Sequence, residues 1–192
     1  FRRGSASQPD LRQRPDYAPS QRWLRGLYVG ATLCAEALAR CRHLSPLSTN
    51  LAVEGVTRSA RFRAAGHHLL DLGDEEYTRG RTHPILDAST RVDAIYNAAN
   101  DESVAVLLFD VVPGPWGDPV EPLRQALTAV RERSLARGGE ISMVAAVLGT
   151  EDGSPRRSAV VASLEALGVT VTPDHATAVE AALALLPEGE EP

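Results

Sequence analysis

The sequence predicts an α/β protein, a parallel sheet with helices packed on both faces. Three observations predict it. From Trp23 onward, short apolar runs and stretches of helical periodicity alternate five times, the pattern of strand–helix–strand units joined by right-handed crossovers. One run, "SVAVLLFDVV", is continuously apolar and rich in Val and Leu, as a central parallel strand covered on both faces has to be. The helical stretches each carry an apolar stripe that needs a sheet to pack against.

The elements follow in order. "WLRGLYVG" is the first strand and ends at Gly30; "ATLCAEALARCR" is a helix with Leu33, Ala37 and Cys41 at i, i+4 and i+8. "HLSPLSTNLAVEG", with Pro46 and Gly55, reads as an irregular crossover whose pattern selects neither helix nor strand. "HHLLDLG" is the second strand, with one of His67 and His68 buried. After Pro84, Ser89 or Thr90 is placed to cap a helix whose buried stripe is Val92, Ile95, Tyr96 and Ala99. The third strand is the apolar run, and "PGPWGDP" turns the chain into a helix with Leu123, Ala126, Leu127 and Val130 inward. "EISMVAAVLG" is the fourth strand, and the helix after it buries Val160, Leu164 and Leu167 before stopping at Gly168. "VTVT" is the fifth strand; Val179, Ala182, Leu183 and Leu186 face inward on the last helix. For five strands the commonest open order is 2-1-3-4-5, a three-layer flavodoxin-like arrangement. The ordered domain is expected over residues 23–187. Residues 1–22, rich in Arg, Gln, Pro and Ser, read as a linker or disordered tail left by cutting a longer protein, and residues 188–192 as an acidic tail.

A chain of 192 residues with 43% hydrophobic and 23% charged residues buries a full core without a metal or disulfide. Its net charge of −5 offers no basic field for nucleic acid or an anionic membrane, so neither is expected as a partner. Cys34 and Cys41 fall in one helix about 10 Å apart along its axis, too far to bridge. A reducing, cytoplasmic compartment is the expectation. No apolar run is long enough to span a bilayer, the amino end lacks a signal-peptide layout, and no His, Cys or acid spacing forms a zinc or iron set.

In the 2-1-3-4-5 order, strands 1 and 3 leave the sheet in opposite directions, so a crevice opens beyond their carboxyl ends. Those ends are Gly30-Ala31-Thr32 and the segment from Asp110 to Gly114. The first runs straight into a helix, whose backbone N–H groups and dipole favour an anion. Thr32 either adds its hydroxyl or only caps the helix. The charged loop "LDLGDEEYTRGRTHPILD", Leu70 to Asp87, leaves the neighbouring strand 2 and brings Arg79, Arg81 and His83 within reach of that anion. Alternatively, Asp71, Asp74, Glu75 and Glu76 pair with the arginines as a solvated cluster, and His83, before Pro84, is a turn residue. Asp110, at the end of an apolar strand, either caps the following loop or points into the crevice. No P-loop, G-x-S-x-G elbow or complete dinucleotide fingerprint is present.

"RGLYVGATLCAEA", "HHLLDLGDEEYTRGRTHPILD", "VAVLLFDVVPG", "VLGTEDGSP" and "LGVTVTPDHATAVEAALAL" together resemble the carboxyl-terminal region of FdrA proteins, within the NDP-forming acyl-CoA synthetase (succinyl-CoA ligase-like) superfamily. The resemblance runs from about Leu24 to Leu186. It implies the flavodoxin-like carboxyl domain of a succinyl-CoA ligase β-subunit, with Gly30, Leu70-Asp71-Leu72-Gly73 and Gly114 at the matching turns. In that superfamily, helix N-termini surround a phosphohistidine, and an acyl phosphate and then an acyl-CoA are formed. The histidine and the CoA site belong to an α-subunit-like half, and nucleotide to a separate grasp domain. The resemblance therefore implies no cofactor for this domain alone. CoA with ATP/ADP, or carbamoyl phosphate, enters in the full assembly, an oligomer with an amino-terminal CoA-binding-like domain and other subunits. The sequence departs from the ligase in lacking a "GHAGA"-like motif and in carrying "DEEYTRGRTHP" where glycines follow strand 2. FdrA-like proteins are also implicated as a subunit of an oxamate carbamoyltransferase of allantoin breakdown, whose substrates are small anions too. The expected site has His83, Arg81 and Asp110 as catalytic residues, and Gly30, Ala31, Thr32, Arg79 and Gly114 as the anion or phosphate cradle. Asp71, Asp74 and Asp87 orient the loop. The rival expectation is a non-catalytic scaffold whose loop forms a subunit interface.

Overall fold

The computed structural model describes residues 15–61 and 65–187. The strands are β1 (Trp23–Tyr28), β2 (Leu47–Thr49), β3 (Thr57–Arg58), β4 (His67–Asp71), β5 (Val104–Val111), β6 (Ser142–Val147) and β7 (Val169–Thr172). The helices are α1 (Ala31–Arg40), α2 (Glu75–Thr78), α3 (Ser89–Asn100), α4 (Arg124–Ala136), α5 (Arg157–Glu165) and α6 (His175–Ala184), with a 3-10 turn, Glu121–Leu123, leading into α4.

The described strands pair in parallel throughout, in the order β3-β2-β4-β1-β5-β6-β7. The five expected strands keep the expected order, but the sheet has seven. The two extra strands lie in the crossover that the pattern left unassigned. They hold three and two residues, too few for a period-two signal to emerge. Asn50 prolongs β2 by side chain: its amide donates to the Asp71 carbonyl (2.8 Å) and its oxygen accepts from the Asp71 N–H (2.9 Å).

Every residue of β5 is buried, because both sheet faces are covered. Leu107, Phe109 and Val111 face one core with Ile95 and Ala98 of α3, Leu127 and Val130 of α4, and Leu164 of α5. Val106 and Leu108 face the other, with Cys34 and Leu38 of α1 and Val179 and Ala182 of α6. Burying each Leu or Phe fully contributes about 1.5–3 kcal/mol, so β5 anchors both layers. Gly26 on β1 gives this core its closest approach: a Cβ there would lie 2.8 Å from the Leu69 side chain of β4.

Several local expectations are corrected. His67 and His68 are both buried, the first accepting from the Leu24 N–H (3.2 Å) and the second beside the Ser59 carbonyl (2.9 Å). Burial holds His67 neutral, its pKa lowered to about 4. Neither Ser89 nor Thr90 caps α3; Asp87 accepts from the Ser89 N–H (2.9 Å) instead. The cysteines are free and buried, and Cys41 lies one residue past α1. Of the stretch read as linker, residues 15–22 pack against the amino ends of β5 and β6. Gln21 is 6% exposed and donates to the carbonyls of Val104 (2.8 Å) and Glu140 (2.5 Å), and the Tyr17 hydroxyl meets that of Ser142 (2.7 Å). Residues 1–14 and the acidic tail 188–192 lie outside the described residues.

Candidate functional site

β1 sits between β4 and β5, and the three strand tips meet at the start of α1. Gly30 precedes α1 with extended backbone (φ −170°, ψ 150°), and no side chain caps the helix. Ala31 and Thr32 are exposed in its first turn, so Thr32 lies inside the helix and is not its cap. A Cβ on Gly30 would meet nothing within 4 Å. The first N–H groups of this ten-residue helix thus have no side-chain cap, and no first-turn acid complements their dipole.

Asp110, at the tip of β5, is 1% exposed and accepts from the Val29 N–H (3.1 and 3.4 Å). It therefore fastens the exit of β1 to β5. Burial raises its carboxyl above the usual range, against the opposing pull of Arg91 and the Val29 N–H. Arg91, on α3, is itself buried and donates to the Asp110 carbonyl. At the tip of β4, Asp71 is 5% exposed and accepts from the Gly73 N–H (2.8 Å); burial raises this carboxyl as well.

His83 reaches the same place. A Cβ on Gly73 would fall 2.7 Å from His83 Nε2, 2.8 Å from the Val29 carbonyl oxygen and 3.1 Å from Asp71 Oδ1. Only a residue without a side chain lets these three groups converge. His83 Nδ1 accepts from the Ile85 N–H (3.3 Å), which leaves Nε2, the nitrogen beside the Gly73 turn, to carry the ring's N–H. Gly73→Ala is expected to displace His83 and cost about 1–3 kcal/mol, since the Val29 contact is backbone and does not yield. An unchanged melting temperature together with unchanged His83 imidazole NMR shifts would refute this.

The remaining expected residues are distributed differently. Asp74 caps α2 through the Glu76 N–H (2.9 Å), and Asp87 serves α3. Arg79 pairs with Glu75 (3.2 Å) and Arg81 with Asp93 (3.7 Å), both on the α3 flank and not over Thr32. A Cβ on Gly114 would fall inside the Trp116 ring, 2.0 Å from its nearest atom, so this glycine lets Trp116 fold back over the β5–α4 turn. The strand tips thus gather Gly30, Asp71, Gly73, His83 and Asp110, and leave Arg79, Arg81 and Gly114 outside that cluster.

The sequence reading missed a side-chain network on the α1/α6 face. His175, the first residue of α6 and 6% exposed, meets Glu36 Oε2 through Nδ1 (3.0 Å) and the Tyr28 hydroxyl through Nε2 (3.4 Å). Its only sequence signal was Asp174, a good N-cap, just before it. Among the described residues no group of three His, Cys, Asp or Glu side chains is placed to hold a metal, and no helix is long and apolar enough to cross a membrane.

A parallel sheet covered by helices on both faces fits a flavodoxin-like CoA-ligase domain. The CoA-ligase family model matches residues 27–185, and the chain belongs to that family. Among curated proteins it is similar to the uncharacterized protein YahF of Escherichia coli (strain K12), with 32% identity over 151 residues, covering 76% of this chain and 29% of YahF. The chain thus spans under a third of that relative's length.

Proposed function

We propose that this domain forms one wall of a small-anion site that handles an acyl phosphate, in an FdrA-like relative of the NDP-forming acyl-CoA synthetases. Other domains or subunits complete the site, an amino-terminal CoA-binding-like domain among them. The observation that carries the reading is the uncapped start of α1, open above Gly30, with His83 Nε2 beside the adjoining strand tips. Phosphate oxygens would accept from the N–H groups of Ala31, Thr32 and Leu33, and the His83 N–H would serve as a further donor. Such preorganised donors stabilise the charge that grows on the departing phosphate as the acyl group moves to its acceptor. Asp110 and Asp71 act behind the anion: one fixes the exit of β1, the other the Gly73 turn, and neither carboxylate needs to face the phosphate. CoA and nucleotide belong to the parts of the assembly outside this domain.

A carbamoyl phosphate substrate is the second reading. The segment "DEEYTRGRTHP" favours it, since it replaces the glycine-rich continuation expected of a ligase and delivers His83 as a donor. Melting temperatures measured with acetyl phosphate, carbamoyl phosphate, oxamate and CoA test both. A ligand at about a hundred times its dissociation constant raises stability by roughly 2.7 kcal/mol. Acetyl phosphate, or carbamoyl phosphate in the second reading, is expected to stabilise the chain where CoA does not. Thr32→Glu should abolish the effect, since an exposed acid in the first turn is tolerated by the helix but occupies the anion's place. No stabilisation by either phosphate, or equal stabilisation of the variant, would overturn the proposal.

A further inference from the structure

The end of the sheet opposite the α1 crevice carries a hollow of its own. A groove of about 790 Å³ lies at the amino ends of β1 and β4, walled by the segment around Tyr17, the turn after α1 and the carboxyl end of α6. Trp23, Leu44, Leu183 and Leu186 line it and are each only partly buried, so its wall is apolar and open to solvent. Its charge is of one sign. Arg22, His43 and His67 supply basic groups, and no Asp or Glu stands among the described residues of the lining. Arg22 is exposed, and among the described residues its side chain has neither ion pair nor hydrogen bond.

His67 supplies the sign of a ligand. The residue is 6% exposed, and its Nδ1 accepts from the Leu24 N–H (3.2 Å). Burial first, then the like charge of Arg25 and His43, lowers its pKa to about 4, so the ring is neutral at pH 7. A neutral imidazole that accepts at Nδ1 carries its hydrogen on Nε2. Among the described residues no oxygen accepts from Nε2, and the atom is not sealed from solvent, so this donor opens onto the groove that its residue lines. The Trp23 ring stands nearly perpendicular to the imidazole, with 5.2 Å between centroids, and fixes its tilt.

These features select a ligand. An N–H donor at the floor calls for an acceptor, and a cationic rim without a competing acid favours an acceptor that is charged. The apolar wall calls for a hydrocarbon body, which a compact inorganic anion lacks. One arginine and one imidazole N–H match the two oxygens of a carboxylate, whereas a phosphate needs a fuller set of donors. We propose that this groove binds a carboxylate with an apolar body, an arylalkyl or medium-chain alkyl acid, its head toward His67 and Arg22 and its hydrocarbon against Trp23 and the leucines. The site lies at the amino end of the sheet and does not rest on the acyl-phosphate reading of the carboxyl end.

Tryptophan emission tests it. The chain's two tryptophans are Trp23 and Trp116, so in a Trp116→Phe background the emission reports the groove. Titration with phenylbutyrate and with octanoate should change it with a dissociation constant of about 1 mM or tighter. Phenylbutanol and octanol, which lack the charge, and acetate, which lacks the body, should bind at least about tenfold more weakly. Arg22→Gln and Ser45→Glu, both at exposed lining positions, should keep the parent's melting temperature and weaken octanoate at least about threefold. The His67 Nε2–H resonance should shift on binding. Thr32→Glu, at the far end of the sheet, should bind as the parent does. Glu188→Gln/Glu190→Gln/Glu191→Gln should also leave the affinity unchanged; a tenfold gain would give the groove to that acidic segment and overturn the proposal. Absence of binding by both acids, equal binding of the alcohols, indifference to both Arg22→Gln and Ser45→Glu, an unmoved His67 resonance, or binding lost in Thr32→Glu would each overturn it as well.

Discussion

Arg25→Met is expected to lower the stability of the domain by about 3 kcal/mol at neutral pH, the low end of what breaking a buried ion pair costs. Arg25 lies within β1, its side chain fully buried, and its guanidinium reaches Asp101 Oδ2 at 2.7 Å and the Gly66 carbonyl at 2.6 Å. It thereby joins the turn before β5 to the turn before β4 through the strand between them. Methionine fills much of the same volume but removes the donor to Asp101 Oδ2 and to the Gly66 carbonyl. Asp101 retains 24% exposure, so water recovers part of the loss. The effect has a definite pH dependence. Burial pushes the Asp101 carboxyl up, but Ser103 and Arg25 outweigh it and hold the group below its usual range. A depressed folded-state value means stability that is present above the unfolded value, about 3.9, and lost as the pH falls through the folded one. The gap between parent and variant in urea unfolding should therefore be full at pH 7 and shrink as acid protonates Asp101. A loss below about 1 kcal/mol would place this pair with exposed ion pairs and refute its role as a tie.

Much of this framework was legible in the sequence because periodicity reports burial. The run from Val104 to Val111 has no polar alternation before Asp110, and it is the strand with both faces covered. The stripe Leu123, Ala126, Leu127 and Val130 is buried as its spacing demands. Illegible elements were those too short to have a period, β2 and β3, and those held by long-range pairing of single side chains. Gln21 looks like tail composition and yet fills a gap between two strands. Arg91 is buried on α3 and donates to the Asp110 carbonyl, a pairing that no local pattern announces. The candidate site divided along the same line. Gly30 and Asp110 followed from topology alone, since strand order fixes where strand tips lie. The destination of Arg79 and Arg81 depended on the turn at Gly80 and the unforeseen α2, and loop direction has no periodic signature. His175 was missed because its partners, Glu36 and Tyr28, lie on elements far away in sequence.

The second large effect concerns Asp110 and its buried neighbour. Arg91→Met is expected to cost about 3–5 kcal/mol, because it withdraws both the donor to the Asp110 carbonyl and the positive charge nearest that carboxylate. Asp110→Asn should act in the opposite direction. Asparagine keeps an oxygen to accept from the Val29 N–H and has no charge to desolvate. Burial holds the Asp110 carboxyl above its usual value, and a raised folded-state value means stability present below the unfolded value and lost as the pH rises through the folded one. The parent therefore carries a cost at neutral pH that it escapes in acid. Asp110→Asn should exceed the parent in stability by a margin that opens above about pH 4 and levels off once the parent's carboxyl is ionised. Asp110→Ala, which orphans the Val29 N–H, should instead lose about 1–3 kcal/mol. In combination, Asp110→Asn should recover part of the loss caused by Arg91→Met, because the charge left unpaired is gone; strict additivity would show that the two groups do not interact. Two roles for the charge predict different outcomes, one in which it acts on the crevice and one in which it only fastens β1 to β5. Asp110→Asn in the complete protein separates the alternatives. A more stable protein with diminished turnover of acyl or carbamoyl phosphate would mean that the charge acts on the crevice. A more stable protein with full turnover would mean that Asp110 only fastens β1 to β5, and that the α1 N-terminus and His83 form the site without it.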